Sequence, residues 1–466
     1  MKKLVNKDVL IILSIALFLR FIALILFKSW TNPDILEYGQ MAENIVNGKG
    51  LAYDFYGLRE ECPLKSFMPP LYPFILSFLM SVVSKPYLYL LIIQAILSSC
   101  TAIIVYYIGS WIYERQIGLV AGLGVALYPV FIICASGNFF SPTTIDIFLI
   151  SLILFFTIKA NKSIGMAYPL AAGITMGIST LSLSQIIAFY PFIIFWLFIN
   201  NSHNLVKKSV MIAVMVLLTI SPWVFRNYVI HGRLTPTASN GGFNFWLGNN
   251  PFTTSFGWII DEKAYRDHAE GRSFDDFIFE PTFRDPLDDF NFEPILPEAE
   301  IHNDTFKNVL KKKTEAILPR NVVEKIHELS ELEIDSLLFK AGLNYIKEDP
   351  LAYIKRCFKK IFYLWIYRPK EGRRAFFTGK LGILYAVQYA FLTPLVFGGI
   401  LINLRQDWRR SLLLYFLMIF FTLFYMNFFV QSRYRWLFEP YMIVVASNFI
   451  MYLWRKICGR DVPMTC

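Results

Sequence analysis

The chain has 466 residues, 55% of them hydrophobic and only 17% charged, with a mean hydropathy of +0.46 and a formal net charge of +10. Soluble domains carry about 25% charged residues, and 44 Phe, 25 Tyr and 10 Trp exclude a disordered or fibrous chain. Excess Lys and Arg on the cytoplasmic loops of a polytopic membrane protein accounts for the positive charge, so no nucleic-acid partner is expected.

The first apolar run, 9–27, follows Lys2, Lys3 and Lys7. It is too long for a signal-peptide core and lacks a small-residue cleavage site, so it predicts a retained first span. Further spans are predicted at 88–110, 117–135, 143–158, 166–182, 186–200, 208–225, 380–403, 411–429 and 437–454. The apolar segment 69–83 has only 15 residues, with prolines at 69, 70 and 73, which suits an interfacial or re-entrant helix. Charge asymmetry supports that choice. With 69–83 outside the count, Arg115, Lys159, Lys162, Lys207, Lys208, Arg405, Arg409, Arg410 and Arg455 all fall on inside loops. The predicted fold is therefore an all-α polytopic membrane protein of about ten transmembrane helices, with interfacial helices, both termini inside and a large extracytoplasmic loop.

Three regions follow. Residues 1–225 form an N-terminal membrane module with a first extracytoplasmic loop at 28–87; 226–379 form the large outside loop; 380–466 form the C-terminal membrane helices. Within the large loop, 261–335 holds 20 of the 35 acidic residues and little apolar periodicity, which reads as loop-rich. A helical stripe returns at Leu338, Ala341 and Tyr345. A second runs through Leu351, Ile354, Phe358, Phe362 and Trp365. Lys355, Arg356, Lys359 and Lys360 lie off that stripe, the pattern of an interfacial helix at 351–367. The six Cys show no metal spacing. Cys62 and Cys357 are expected as unpaired thiols, a disulfide between them being the alternative.

Asp34 and Glu37 stand just beyond the first span, on one face if that segment is helical. A carboxylate there suits a general base for an acceptor hydroxyl, and the same spacing also reads as a capping box. Arg20 lies inside the first span, where a charge needs a partner, an aqueous cavity or a route to the surface. Arg226 marks the outer mouth of the seventh span, and Arg433 and Arg435 the outer connection between the ninth and tenth. Three outside arginines suit an anionic lipid phosphate, which Arg binds bidentately, or simple headgroup anchoring. The stretch "TASNGGFNFWLGNNP" (237–251) combines amides and aromatics, the groups that meet sugars.

The motifs "PDILEYGQMAENIVNGKGL", "PPLYPFILSFL", "PWVFRNY…NGGFNFWLGNNP", "AGLNYIKEDPLAYIKR" and "RYRWLFEPYMI", in that order, resemble membrane glycosyltransferases of the GT-C class. The branch resembled includes protein O-mannosyltransferases and the lipid A aminoarabinose transferase. The resemblance implies a sugar donor on a polyprenyl phosphate, a lipid, glycan or protein acceptor, surrounding membrane lipids, and one inverting displacement at the outer face of a bacterial cytoplasmic membrane. It implies Asp34 as base with Glu37 in reserve. Arg226, Arg433, Arg435, Lys65 and Arg20 are the cations for the donor phosphate, and Tyr38, Tyr72, Asn249 and Asn250 the groups at the substrate. No cofactor is required, since the leaving group is already a phosphate that cations can stabilise, and a divalent metal is not indicated. Two positions depart from the pattern: Met68 stands before Pro69-Pro70 where relatives often have a base, and Pro142 replaces a common acid, with Asp146 a turn deeper. A transporter is the rival from another class, but it would place charges near the midplane of repeated halves, and no repeat is visible. A polymerase or ligase using a diphosphate-linked donor would suit the same Arg–carboxylate set.

Overall fold

The computed structural model describes residues 7–31, 33, 36–137, 141–235, 237–252, 311, 314–315, 317–366, 379–405 and 408–459. Among them the regular structure is helical, apart from one antiparallel bridge between Tyr53 and Leu64. The N-terminal half runs α1 (Lys7–Phe27), α2 (Leu36–Val46), α3 (Leu71–Val82), α4 (Pro86–Ile112), α5 (Arg115–Leu127), α6 (Pro129–Ser136), α7 (Thr143–Lys162), α8 (Ala167–Thr180), α9 (Tyr190–Ile199) and α10 (Leu205–His231). Then come α11 (Gly241–Gly248), α12 (Glu331–Glu348), α13 (Pro350–Trp365), α14 (Gly379–Arg405), α15 (Trp408–Tyr425) and α16 (Glu439–Ile457).

Among the described residues six helices are long and apolar enough to cross a bilayer: α1, α4, α7, α10, α14 and α15. A seventh joins them if α5 and α6, bent by 48°, form one broken span. Length and composition therefore account for six or seven of the ten expected crossings. The remaining three segments are helical but differ in kind. Ala167–Thr180 and Ser184–Ile199 are short. Helix α16 has the length but carries Asn448, Arg455 and Lys456, and every residue from Glu439 to Asn448 is buried. A helix enclosed by protein needs less apolar surface than one facing lipid, and α1 and α10, each only 28% buried over the apolar window, are the lipid-facing kind. Helix α3 has 12 residues, about 18 Å at 1.5 Å per residue, well short of a ~30 Å hydrocarbon core.

The bend between α5 and α6 explains Arg20. Pro129 has no N–H to give the Val125 carbonyl, so the break leaves an orphaned acceptor in the bundle. Arg20 is fully buried and fills the gap, Nη2 donating to Val125 O at 3.4 Å and Nη1 to Ala126 O at 3.0 Å. Its Nε donates to Ser98 Oγ at 2.8 Å. Arg20 thus neither snorkels outward nor presents its guanidinium to a phosphate; an intrahelical break claims it. At the other end of α5, close packing on α4 comes from Gly118, where an added Cβ would sit 2.0 Å from Ser110 Oγ and 2.4 Å from Tyr106 O.

Two further apolar clusters matter for function. One joins α2, α3 and the start of α7 through Ala42, Tyr72, Leu76 and Ile145. The other gathers the first loop (Tyr53, Phe55, Phe67), α11 (Phe243, Trp246), α12 (Ile334, Leu338) and Phe429, with Met68, Leu181 and Tyr434 against it. The second cluster packs the 51–67 segment, α11, α12 and Phe429 into one body.

Candidate active site

Asp34 lies outside the described residues. Glu37 sits in the first turn of α2 and accepts from Tyr56 Oη at 3.3 Å. Tyr56 is held in an unusual way: Phe55, Tyr56 and Gly57 all have positive φ (51°, 60° and 81°), a conformation that costs non-glycine residues about 1–3 kcal/mol each. Phe55, fully buried against Phe67 and Phe243, and Asp54, whose Oδ1 accepts from Gly57 N at 3.1 Å, hold the turn. Asp54 Oδ2 in turn accepts from Gln40 Nε2 on α2 at 2.6 Å. The strained turn therefore aims a phenol at Glu37. Burial, with Tyr56 and Glu37 close by, pushes the Tyr53 hydroxyl well above its ordinary range. Tyr38 stands edge-on to Tyr72 at 5.1 Å, and Tyr72, almost fully buried, accepts from Gln94 Nε2 at 3.2 Å.

The segment 59–66 is clamped from the large loop. Glu331 accepts from Lys65 N at 2.7 Å, from Ser66 N at 2.9 Å and from Ser239 Oγ. Arg226 Nη1 donates to Lys65 O at 2.7 Å and to Ser66 Oγ at 2.9 Å, with its guanidinium 4.5 Å from the Trp223 ring. Arg59 Nε donates to Cys62 O at 2.8 Å, and its Nη1 donates to Leu329 O at 2.7 Å and to Ile326 O. The backbone of Lys65 is thus fixed on both sides while its side chain stays exposed. A capping box, Ser330 with Glu333, starts α12 at the clamp.

A carboxylate faces this region from the bundle. Asp146, on the first turn of α7, is buried and accepts from Ser182 Oγ at 2.5 Å. Nearby, Gln185 Nε2 donates to Tyr425 Oη at 2.8 Å, and Tyr425 stacks on Tyr434 with centroids 4.1 Å apart. The Leu71 amide donates to Leu181 O at 3.0 Å, tying the start of α3 to the Ser182 turn.

Arg226, Arg433 and Arg435 enter three settings. Arg226 holds the first loop. Arg433 lies 5.5 Å from the Tyr434 ring. Arg435 is fully buried, its Nε donating to Glu439 Oε1 at 2.8 Å, its Nη2 to Tyr385 Oη at 2.6 Å and its Nη1 to Leu364 O at 3.2 Å. A neutralised, enclosed Arg435 positions the 432–436 turn, and with it Arg433.

Asn249 and Asn250 are buried with their amides engaged inside the fold. Asn249 Nδ2 donates to Phe245 O at 3.0 Å and to Asn427 O at 2.8 Å; Asn250 Nδ2 donates to Trp246 O at 2.8 Å. Gly248 lets this turn approach the 426–430 connection, since a Cβ there would lie 2.4 Å from the Phe428 carbonyl carbon. Lys360, fully buried on α13, donates to Asn249 Oδ1 at 3.3 Å, and burial pushes its ammonium down to about 7. Asp335 accepts from Gly242 N at 2.5 Å, and burial pushes its carboxyl up to about 6. Residues 237–252 therefore form a bracket between α12, α13 and 426–430.

In the sequence Asp146 reads only as a displaced acid, Lys360 reads as part of the basic face of an interfacial helix although the fold buries it against Asn249, and Arg59, Glu331 and Glu439 are not singled out. Polar residues in apolar surroundings are the one signal available for Lys360 and Glu439; Arg59 and Glu331 carry none. Cys62 and Cys357 are free thiols. Among the described residues, no three His, Cys, Asp or Glu side chains gather in a metal-ligating group.

Residues 68–225, about a third of the chain, match the family described as dolichyl-phosphate-mannose-protein mannosyltransferase. No curated protein matches the chain. Among solved structures, it is similar to the archaeal oligosaccharyltransferase AglB from Archaeoglobus fulgidus in complex with an inhibitory peptide and a dolichol-phosphate. That likeness has a TM-score of 0.49 and 16% identity over 98% of this chain and 52% of that one. It is also similar to ArnT from Cupriavidus metallidurans bound to undecaprenyl phosphate, with a TM-score of 0.40 and 12% identity over 98% of this chain and 81% of that one. The chain spans about half the length of the archaeal protein. The matched stretch 68–225 contains α3, the Asp146–Ser182 pair and α10 up to the residue before Arg226.

Proposed function

We propose that this chain is a membrane glycosyltransferase of the GT-C kind. It moves one sugar from a polyprenyl-phosphate donor to a lipid, glycan or protein acceptor at the outer face of a bacterial cytoplasmic membrane. The observation that carries the reading is the convergence of the first loop, the Leu181–Gln185 turn and the Phe429–Tyr434 connection on one apolar cluster. That cluster is bordered by carboxylates (Glu37, Asp146) and by cations (Lys65, Arg226, Arg433). The family match over 68–225 supports it.

In the proposed reaction an acceptor hydroxyl oxygen attacks the anomeric carbon from the face opposite the phosphate. The C–O bond to the phosphate breaks with its electron pair, and polyprenyl phosphate leaves as an anion. The acceptor proton passes to a carboxylate, for which Asp34 is the proposed base; Glu37, oriented by Tyr56, aligns the acceptor. Lys65, Arg226 and Arg433 stabilise charge developing on the leaving phosphate, an electrostatic contribution that needs no further group to move. Arg435 and Glu439 act as positioning residues for Arg433.

Membranes containing the chain, given a radiolabelled polyprenyl-phosphate sugar, test this. Label is expected to pass to an endogenous acceptor, and surface-glycan mass spectrometry with and without the gene identifies it. Unchanged surface glycans and no donor turnover refute the proposal.

A further inference from the structure

A cavity lies at the end of the bundle away from Asp146. It has a volume of about 450 Å³ and is framed by the ends of α4, α7 and α9 and the start of α15. Its basic wall is Lys162, Arg409 and Arg410; its aromatic wall is Trp111 and Trp196. Asp146 and Lys162 are sixteen residues apart on α7, roughly 24 Å at 1.5 Å per residue. The cavity is therefore separate from the proposed catalytic end.

The walls are built into the fold. Trp196 Nε1 donates to Arg409 O at 3.1 Å, and Asn200 Nδ2 donates to Trp196 O at 2.9 Å, so the start of α15 is fixed against the end of α9. Lys159 Nζ lies 3.8 Å from the centre of the Trp111 ring. Asn161 Oδ1, buried at the cavity wall, has no hydrogen-bond partner among the described residues. A buried acceptor in that state calls for a donor. Phe195 and Phe198, 51% and 62% exposed, flank Trp196 on α9.

We infer that this cavity binds the headgroup of an anionic phospholipid that also carries a hydroxyl, such as phosphatidylglycerol. Lys162, Arg409 and Arg410 meet the phosphate, and the headgroup hydroxyl donates to Asn161 Oδ1. Trp111 and Trp196 sit at the level of the bilayer interface, where indoles collect, and the acyl chains lie along Phe195 and Phe198. Basic pockets between membrane helices bind such headgroups for the same electrostatic reason. A soluble phosphate shares part of this chemistry but has no use for the apolar flank.

Native mass spectrometry and thermal unfolding of the detergent-purified full chain distinguish the sources. Phosphatidylglycerol is expected to remain bound at about one per chain and to raise the unfolding temperature, whereas phosphatidylcholine and inorganic phosphate do not. The K162Q/R409Q/R410Q variant is expected to lose at least tenfold in phosphatidylglycerol retention. If that variant does not fold, Lys162→Gln alone, at an exposed helix end, serves for the comparison with a smaller loss. Equal stabilisation by inorganic phosphate would overturn the lipid assignment, and equal lipid retention by parent and folded variant would overturn the site. Neither outcome depends on the glycosyltransferase reading.

Discussion

Replacing Arg20 by methionine separates a structural from a phosphate-binding arginine. The side chain is fully buried and donates to Val125 O and Ala126 O at the α5–α6 break. Methionine keeps most of the volume but gives neither carbonyl a partner. An unsatisfied buried acceptor costs about 1–3 kcal/mol. Two of them set the gross loss at about 2–6 kcal/mol, and removing a buried cation gives part of this back through its desolvation. Ser98 Oγ still donates to Phe131 O at 3.3 Å, so it adds little. The expected net loss is about 2–4 kcal/mol, enough to lower the unfolding temperature by several degrees. Arg20→Lys, which keeps a charge and part of the donor set, is expected to fall between. Thermal unfolding of the purified chain in detergent measures the first effect, and the donor KM of the surviving folded fraction the second. A Met variant as stable as the parent, or one with parental stability and a sharply raised donor KM, refutes the helix-break account.

For Asp34→Asn, transfer is expected to drop by about two to four decades with folding intact, since Asn caps a helix about as well as Asp but is no base; transfer within a few-fold of the parent defeats that role. Glu331→Ala removes the acceptor for the Lys65 and Ser66 amides. It is expected to cost about 3–5 kcal/mol, because the clamp is buried and several of its groups lose their partner together, and proteolysis between 59 and 66 should report the released loop. Lys360 is depressed to about 7 by burial, below its ordinary 10.5, so the unfolded chain binds the extra proton between those values. Stability is therefore expected to rise with pH from about 7 to about 10 relative to Lys360→Met; a difference curve that is flat or falls across that window contradicts the burial.

Much of the membrane architecture is written in runs of single residues. A bilayer demands about 20 apolar residues per crossing, and α1, α4, α7 and α10 carry that demand openly. The prolines at 69, 70 and 73 and the short run after them mark α3 as a partial crossing for the same reason of length. Helix α16 shows the limit of the approach. Its Glu439 and Asn448 are tolerated because other helices, not lipid, surround them, and enclosure is not visible along one strand of sequence. The same holds for function. Arg20 read as a charge in search of a partner, but the partner is a break 105 residues away, created by Pro129. Glu331 and Ser66 are separated by 265 residues and Lys360 and Asn249 by 111, distances at which hydrogen bonding leaves no periodic trace. Asn249 and Asn250, read as substrate contacts, have their amides engaged by backbone carbonyls: Asn249 by Asn427 O, which only the folded chain brings near, and Asn250 by Trp246 O, four residues back in the same turn. Solvent and lipid act on each residue locally and so mark the sequence; a buried polar group is decided by whichever distant group closes over it.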